Sequence, residues 1–362
     1  MLEKINQIEP NISEQDIQKV NDYMSSGAWI TEHELTKELE EKIADFVGRK
    51  YAVAVPNGTI AIYLSLLAAG LTEGKRVAVP NITMIATINA ILWAGAEPVI
   101  IDLNKRLCMS LKSLQTADNL DGVIYVPLNG RTEDGIAIEN YCNEKNITLI
   151  EDSAHSLGSK YQDKMCGSLG NMSIFSFTPH KIITMGQGGL VLTDEDNLYE
   201  YLVDLKTFNR SKDKSDWHEG FGLNFKITDL QAALGLSQFK KINEFIKIKK
   251  EIFQFYKNKI TNYKFIDFFD YETPWFVDLI CESERDRGHL KELLGHEDIL
   301  TRESYPALSK QSFLQNVEKT NLDFSEKISE NILWLPSSTN LTKYQLEEVS
   351  DKIEISDLAK GL

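Results

Sequence analysis

Cysteine is scarce in this chain, with four among 362 residues. Cys108, Cys142, Cys166 and Cys281 lack the paired spacing that zinc ligands or redox couples adopt. Reduced, structural thiols and no metal site are the expectation. Positive charge is also short: Lys and Arg total 39 against 54 Asp and Glu, a formal charge of −15. A nucleic-acid binder normally shows a basic face, so that class is disfavoured. A small anionic ligand is not excluded, because a pocket inside an acidic protein can be locally positive. There is no signal peptide and no apolar run long enough to span a bilayer, so a soluble cytoplasmic protein is expected. No G-x-G-x-x-G follows a strand, which leaves a dinucleotide-dependent oxidoreductase supported only by glycines near strand ends. Internal repeats and low-complexity tracts are absent as well.

What is present is an alternation of strands and helices. Apolar runs at 51–55, 76–80, 98–102, 122–126, 147–150, 172–177 and 190–193 read as strands. Between and around them, helical periodicity covers 13–25, 34–47, 60–69, 84–93 and 228–239, with a long helix continuing to about 260. Ser13 with Asp16 fits a capping box. This order predicts an α/β fold whose sheet is mainly parallel and covered by helices on both faces. The length suits a large domain, 1–240, and a smaller C-terminal α+β domain, 241–362. In the latter, 275–280 reads as a strand and 287–294 and 343–353 as helices.

Three stretches carry candidate chemistry. Lys181 follows the 172–177 run and precedes the turn Gly186-Gln187-Gly188-Gly189, a setting that suits a Schiff-base lysine if the amine is desolvated. On this stretch alone a surface lysine after a hairpin is the better reading. Asp152 ends the 147–150 strand, where the ligand crevice of an open sheet lies, and His155 stands three residues on. A carboxylate here would keep a pyridoxal ring nitrogen protonated; the plain reading of Asp152 is a helix N-cap. Gly58-Thr59 opens a helix whose N–H groups and dipole suit a phosphate, or form an ordinary cap.

In order along the chain stand Ser26-Gly27-Ala28-Trp29-Ile30-Thr31, Pro56-Asn57-Gly58-Thr59, the 151–158 segment, the lysine stretch and Leu223-Asn224-Phe225-Lys226-Ile227-Thr228-Asp229. Together they resemble the DegT/DnrJ/EryC1/StrS family of sugar aminotransferases. The resemblance implies fold type I and pyridoxal 5'-phosphate as cofactor, carried as pyridoxamine 5'-phosphate during turnover. It assigns Lys181 as the catalytic lysine, with Asp152 on the ring nitrogen and His155 beside the ring. Gly58, Thr59 and Ser176 would bind the phosphate, and Asn224 would reach the phosphate of the partner subunit in a homodimer. Asn224 alone would be a turn residue. Met84 stands where the family stacks an aromatic on the ring and is taken as a cofactor contact. Gln187 replaces the usual Glu. Pro127 and Asn129 replace His and Tyr in a loop that borders the sugar site of the family. Arg131 reads either as a phosphate contact or as solvated surface, and Arg302, read either as lying near the site entrance or as a surface ion pair, is given no role. Relatives acting as dehydratases carry histidine in place of the lysine; the register of Ser176 and Gly188-Gly189 places Lys181 there, not His180.

The Trp217-His218 and Asn224 neighbourhood is similar to perosamine-synthase-like members. The implied reaction is amination of a nucleotide-linked keto sugar, 4-keto-6-deoxy, with glutamate as donor, in amino sugar and polysaccharide biosynthesis. The alternatives are an aminotransferase for a small phosphorylated ketone or another sugar position, and a non-catalytic cofactor-binding regulatory protein.

Overall fold

The computed structural model describes residues 4–358. Its strands, in chain order, begin with β1 (Tyr51–Val55), β2 (Arg76–Pro80), β3 (Glu97–Ile101), β4 (Gly122–Tyr125) and β5 (Thr148–Asp152). A short hairpin of β6 (Lys160–Tyr161) and β7 (Lys164–Met165) precedes β8 (Met172–Ser176) and β9 (Gly189–Thr193). The C-terminal third adds β10 (Lys264–Phe265), β11 (Val277–Ile280), β12 (Arg302–Glu303), β13 (Glu318–Lys319) and β14 (Ile332–Leu335).

Eight of these form one sheet in the order β1-β9-β8-β5-β4-β2-β3-β13. Among the described residues only β9 runs against the rest, pairing antiparallel with both β1 and β8. Every residue of β8 and β9 is buried, as expected of strands covered on both faces. The strand runs were placed from sequence to within one or two residues. The helix Gly58–Ala68 starts two residues earlier than its apolar periodicity suggested, because Asn57 caps it: the Asn57 side chain accepts the Ile60 N–H at 3.0 Å. Met84 is not inside its helix. It is the extended N-cap of Ile85–Trp93, and its sulfur accepts the Ala86 N–H. The capping box at Ser13 is present, with the Asp16 carboxylate accepting the Ser13 N–H at 2.8 Å.

The smaller sheet, β10-β11-β14-β12, is antiparallel. Helices Ile242–Lys259, Glu284–His296 and Lys343–Leu358 close its core. A segment from each side of residue 240 packs with the sheet of the other side. Ile5 bridges to Ile299 and packs in the C-terminal core, while β13 pairs with β3 at the edge of the large sheet. The four cysteines are buried, and none forms a disulfide among the described residues. Among the described residues there is no metal-capable cluster, and no helix is long and apolar enough to cross a membrane.

Arg131 is neither solvated surface nor a phosphate contact. It is fully buried and its guanidinium pairs with Asp278 of β11 at 2.6 Å, beneath the ring of Phe268. Asp278 also accepts from Asn129 Nδ2 at 2.9 Å and from the Trp334 indole at 2.7 Å. The 127–131 loop therefore ties the end of β4 to the smaller sheet, and none of its residues lines the cavity described below. Its link to that cavity is indirect: the Asn129 carbonyl accepts the backbone N–H of Trp275 at 3.0 Å.

Removing one partner of a buried pair strands the other's charge at a cost of about 3–5 kcal/mol. Asp278→Ala is expected to lose stability on that scale, read as a lower midpoint in urea unfolding, and Asp278→Asn to lose less. An unchanged midpoint for Asp278→Ala would contradict this role.

Candidate active site

In an open α/β sheet the ligand crevice lies outside the carboxyl ends of the strands. Here those ends present Asp152 from β5, Ser176 from β8 and Asn57-Gly58 after β1. Because β9 is reversed, its first residue, Gly189, arrives at the same edge, paired with Val55 and Ser176. A side chain at Gly189 would collide with Asn57, its Cβ falling 2.6 Å from the Asn57 carbonyl carbon. The glycine lets the helix start and the lysine loop close on each other.

The result is a cavity of about 370 Å³. Lys181, Asp152, His155 and Ser176 line it, as do Gly58, Thr59 and Met84. Seven of the residues singled out from the sequence thus meet in one place. Asn224 does not: it is exposed, outside the cavity of its own chain, and accepts from Lys226 Nζ at 2.6 Å.

The N-cap reading of Asp152 fails, since turns rather than a helix follow β5. Glu151 and Asp152 point to opposite faces, as successive strand residues do. Glu151 is fully satisfied by Tyr161, Ser153 and the N–H groups of Gly167 and Leu169. Asp152 instead faces the cavity, accepting from Thr87 Oγ1 at 2.8 Å and the Ala154 N–H at 3.3 Å. Burial pushes its pKa up, opposed by those two hydrogen bonds and by the charge of Lys181. No cation among the described residues pairs with it directly.

Lys181 sits in the turn after β8, its N–H donating to the Thr178 carbonyl at 3.0 Å. Its amine lies 4.1 Å from the centroid of the Trp275 ring. Burial lowers its pKa to about 7, with Asp152 resisting the shift and Arg302 adding to it. His155 stacks on the same indole, centroids 4.0 Å apart. Burial, then the charges of Lys181 and Arg302, hold the imidazole well below its ordinary pKa, so it is neutral. Its buried Nδ1 has no partner among the described residues.

Sequence reasoning missed Thr87, Trp275 and Tyr305, which line the cavity, and gave no role to Arg302, which lines it too. Thr87 lies one helical turn past Met84, a spacing that could have flagged it. Trp275 is anchored by its indole N–H, which donates to the His180 carbonyl at 2.7 Å; the sequence showed only a strand start. Arg302 makes no surface ion pair. Gln187 also lines the cavity, and its carbonyl accepts from Gln231.

With the geometry in hand, comparison with known proteins is specific. The sequence profile of the DegT/DnrJ/EryC1/StrS aminotransferase family matches residues 10–354. The chain is similar to GDP-perosamine synthase of Escherichia coli O157:H7, 31% identical over 95% of this chain and 96% of that one. It is similar to the UDP-4-amino-4,6-dideoxy-N-acetyl-beta-L-altrosamine transaminase of Campylobacter jejuni, 30% identical over 85% of each chain. Among solved structures, a Helicobacter pylori aminotransferase involved in the biosynthesis of pseudoaminic acid superposes with a TM-score of 0.93. It is 21% identical and covers 99% of this chain and 100% of that one.

The cofactor of these enzymes is pyridoxal phosphate, and the residues present fit it. Asp152 is a buried carboxylate without a cation among the described residues, and His155, whose Nδ1 lacks a partner among them, lines the same cavity. At the helix start, the N–H groups of Gly58 and Thr59 have no intrahelical partner. A Cβ at Gly58 would fall 3.0 Å from that of Ser176, so the missing side chain leaves the hydroxyl clear.

A lowered pKa alone does not select the reactive lysine. Lys249 is also brought down to about 7 by burial, but it donates to the carbonyls of Trp275 and Ser337 outside the cavity. Only a neutral amine attacks an aldehyde. Capture of pyridoxal phosphate by the apoenzyme, followed by its visible absorption, should therefore fall about tenfold per pH unit below 7 and level off above it. Borohydride should fix the cofactor to Lys181 and fail to do so in Lys181→Ala. A flat pH profile, or attachment at Lys249, would refute the assignment.

Proposed function

The chain belongs to the DegT/DnrJ/EryC1/StrS aminotransferase family, and we propose that it transfers an amino group from glutamate to C4 of a nucleotide-linked 4-keto-6-deoxy sugar. One observation carries this reading: the near-full-length likeness to a perosamine synthase in a chain that retains Lys181 and Asp152 together in one cavity.

Pyridoxal phosphate supplies an electrophilic carbonyl and an electron-withdrawing ring, so that the amino group can pass from donor to acceptor. The chain's own residues would bind and move protons. Asp152 would keep the ring nitrogen protonated, positioned by Thr87. Gly58, Thr59 and Ser176 would bind the phosphate. Met84 would cover the ring on one side, and neutral His155, backed by Trp275, would face the other. Lys181 Nζ would take the proton from the donor Cα and return one to the former carbonyl carbon of the acceptor. An amine whose pKa lies near 7 suits both directions. Donor and acceptor exchange amine for oxygen, so the donor leaves as its keto acid and no external oxidant is needed.

The active unit in this reading is a homodimer that completes each site with the partner's Asn224. Asn224 is exposed, and so are Trp217 and Phe221 in the loop before it and Trp29 and Ile30 next to the Thr31–Thr228 bridge. Apolar exposure of this size suits an interface between copies.

Two measurements test the proposal. Enzyme loaded with pyridoxamine phosphate should convert 4-keto-6-deoxy nucleotide sugars, and NMR of the product should place the amine at C4. Preference for 3-keto-6-deoxy sugars, or for dihydroxyacetone phosphate with no nucleotide sugar reacting, would sink the acceptor assignment. Mixed subunits of Lys181→Ala and Asn224→Ala should recover up to about a quarter of wild-type activity, since each hybrid dimer holds one intact site. Subunit exchange without recovery would count against shared sites.

A further inference from the structure

Asp152 has a hydrogen-bond partner that has a partner of its own. Thr87 lies in the first turn of the helix Ile85–Trp93. A threonine inside a helix often donates to a carbonyl three or four residues back. Thr87 donates instead to Asp152 Oδ2, 65 residues away in sequence, at 2.8 Å. Its hydroxyl oxygen also lies 3.0 Å from Thr83 Oγ1. Both threonines are buried, and the Thr83 hydroxyl has no other partner among the described residues. It caps no N–H of the helix, because Met84 occupies the cap and its sulfur takes the Ala86 N–H.

The directions of these bonds follow from counting protons. An ionised carboxylate only accepts, and a hydroxyl has one proton to give. Thr87 gives its proton to Asp152, so the bond between the threonines must be supplied by Thr83. With Asp152 protonated, the same two bonds would be free to run the other way. The pair of hydroxyls is thus polarised toward an anion, and each bond in such a row strengthens the next. The backbone before Thr83 is held firmly. The Asn81 N–H donates to the Ile101 carbonyl at 2.9 Å, and the Asn81 carbonyl accepts the Leu308 N–H at 2.7 Å. Its side chain accepts from the Ser309 N–H at 3.0 Å and donates to Ser325 Oγ at 2.8 Å. We infer that Thr83, which does not line the cavity, is a positioning residue: acting through Thr87, it holds Asp152 in the anionic form that a protonated cofactor ring requires. This rests on the pyridoxal phosphate reading of Asp152 and not on the identity of donor or acceptor.

Apoenzyme isolates the charge. The Asp152 carboxyl is titrated by infrared difference against Asp152→Asn. The ionisable groups that share its field, Lys181 and Tyr305, are intact in every Thr83 variant. Thr83→Val keeps the shape and removes the hydroxyl, and should raise the midpoint by about 0.5 to 1 pH unit, the loss of one neutral hydrogen bond. Thr83→Ala should do the same, and Thr83→Ser should restore the wild-type midpoint. Holoenzyme is then mixed with glutamate, aspartate or alanine, whichever reacts fastest. The limiting rate of absorbance loss should fall about three- to tenfold in Thr83→Val, with the half-saturating concentration within about twofold of wild type. The inference is overturned if the Thr83→Val midpoint is unmoved or lower, or if serine fails to rescue it. A wild-type rate in Asp152→Asn would overturn it together with the cofactor reading of Asp152, and the apoenzyme titration tells the two failures apart.

Discussion

The site depends on removing one amine and one carboxylate from water together. Burial takes Lys181 from 10.5 to about 7, roughly 5 kcal/mol in favour of the neutral amine. That outweighs the attraction of Asp152, which would otherwise keep the lysine charged. The same burial raises Asp152, and Thr87 and the Ala154 N–H hold it back. The two groups are thus kept from forming a closed ion pair that would satisfy both and leave nothing for a ligand. A cavity wall with an unpaired carboxylate, a neutral lysine and an orphaned imidazole nitrogen is poorly satisfied by itself. The surrounding structure must supply the stability that this wall does not.

Trp275 shows how that is arranged. Its N–H is held by Asn129, its indole N–H by His180 and its carbonyl by Lys249. Its ring stacks on Phe276, with centroids 3.8 Å apart, as well as on His155. The residue beneath the lysine is therefore fixed from the β4 loop, the lysine loop and the helix of the C-terminal third together. The buried Arg131–Asp278 pair fastens the same loop to the smaller sheet. Packing remote from the chemistry sets the floor of the cavity.

Much of this was legible in the sequence, for identifiable reasons. Buried strands are apolar runs, and the cap at Asn57 and the box at Ser13 are local rules that tertiary context did not override. Lys181, Asp152 and Ser176 were placed by order and spacing. The contacts that failed to show were all long-range. Arg131 reads as solvent because its partner is 147 residues away, and nothing near it in sequence announces Asp278. Arg302 reads either as site entrance or as a surface ion pair, and the strand decides by turning it away from Glu303 toward the cavity. Trp275 becomes part of the site only once the smaller sheet is docked, and docking has no signature in a short window.

The two-residue strand β13 bears on how the chain is made. It closes the far edge of the large sheet, with Glu318 and Lys319 on β3 and Thr320 sharing a hydrogen bond with Ser113 at 2.8 Å. During synthesis the seven other strands of that sheet are complete by Thr193, yet the edge of β3 stays open until residue 318 has left the ribosome. At ordinary elongation rates this is a delay on the order of ten seconds. For that time the nascent chain carries an unpaired parallel edge, the feature most prone to recruit a neighbouring chain. Lys319 and Glu318 arrive as a charged hem on that edge. The C-terminal third therefore covers an edge that the other seven strands leave open, besides contributing Trp275 and Arg302 to the cavity.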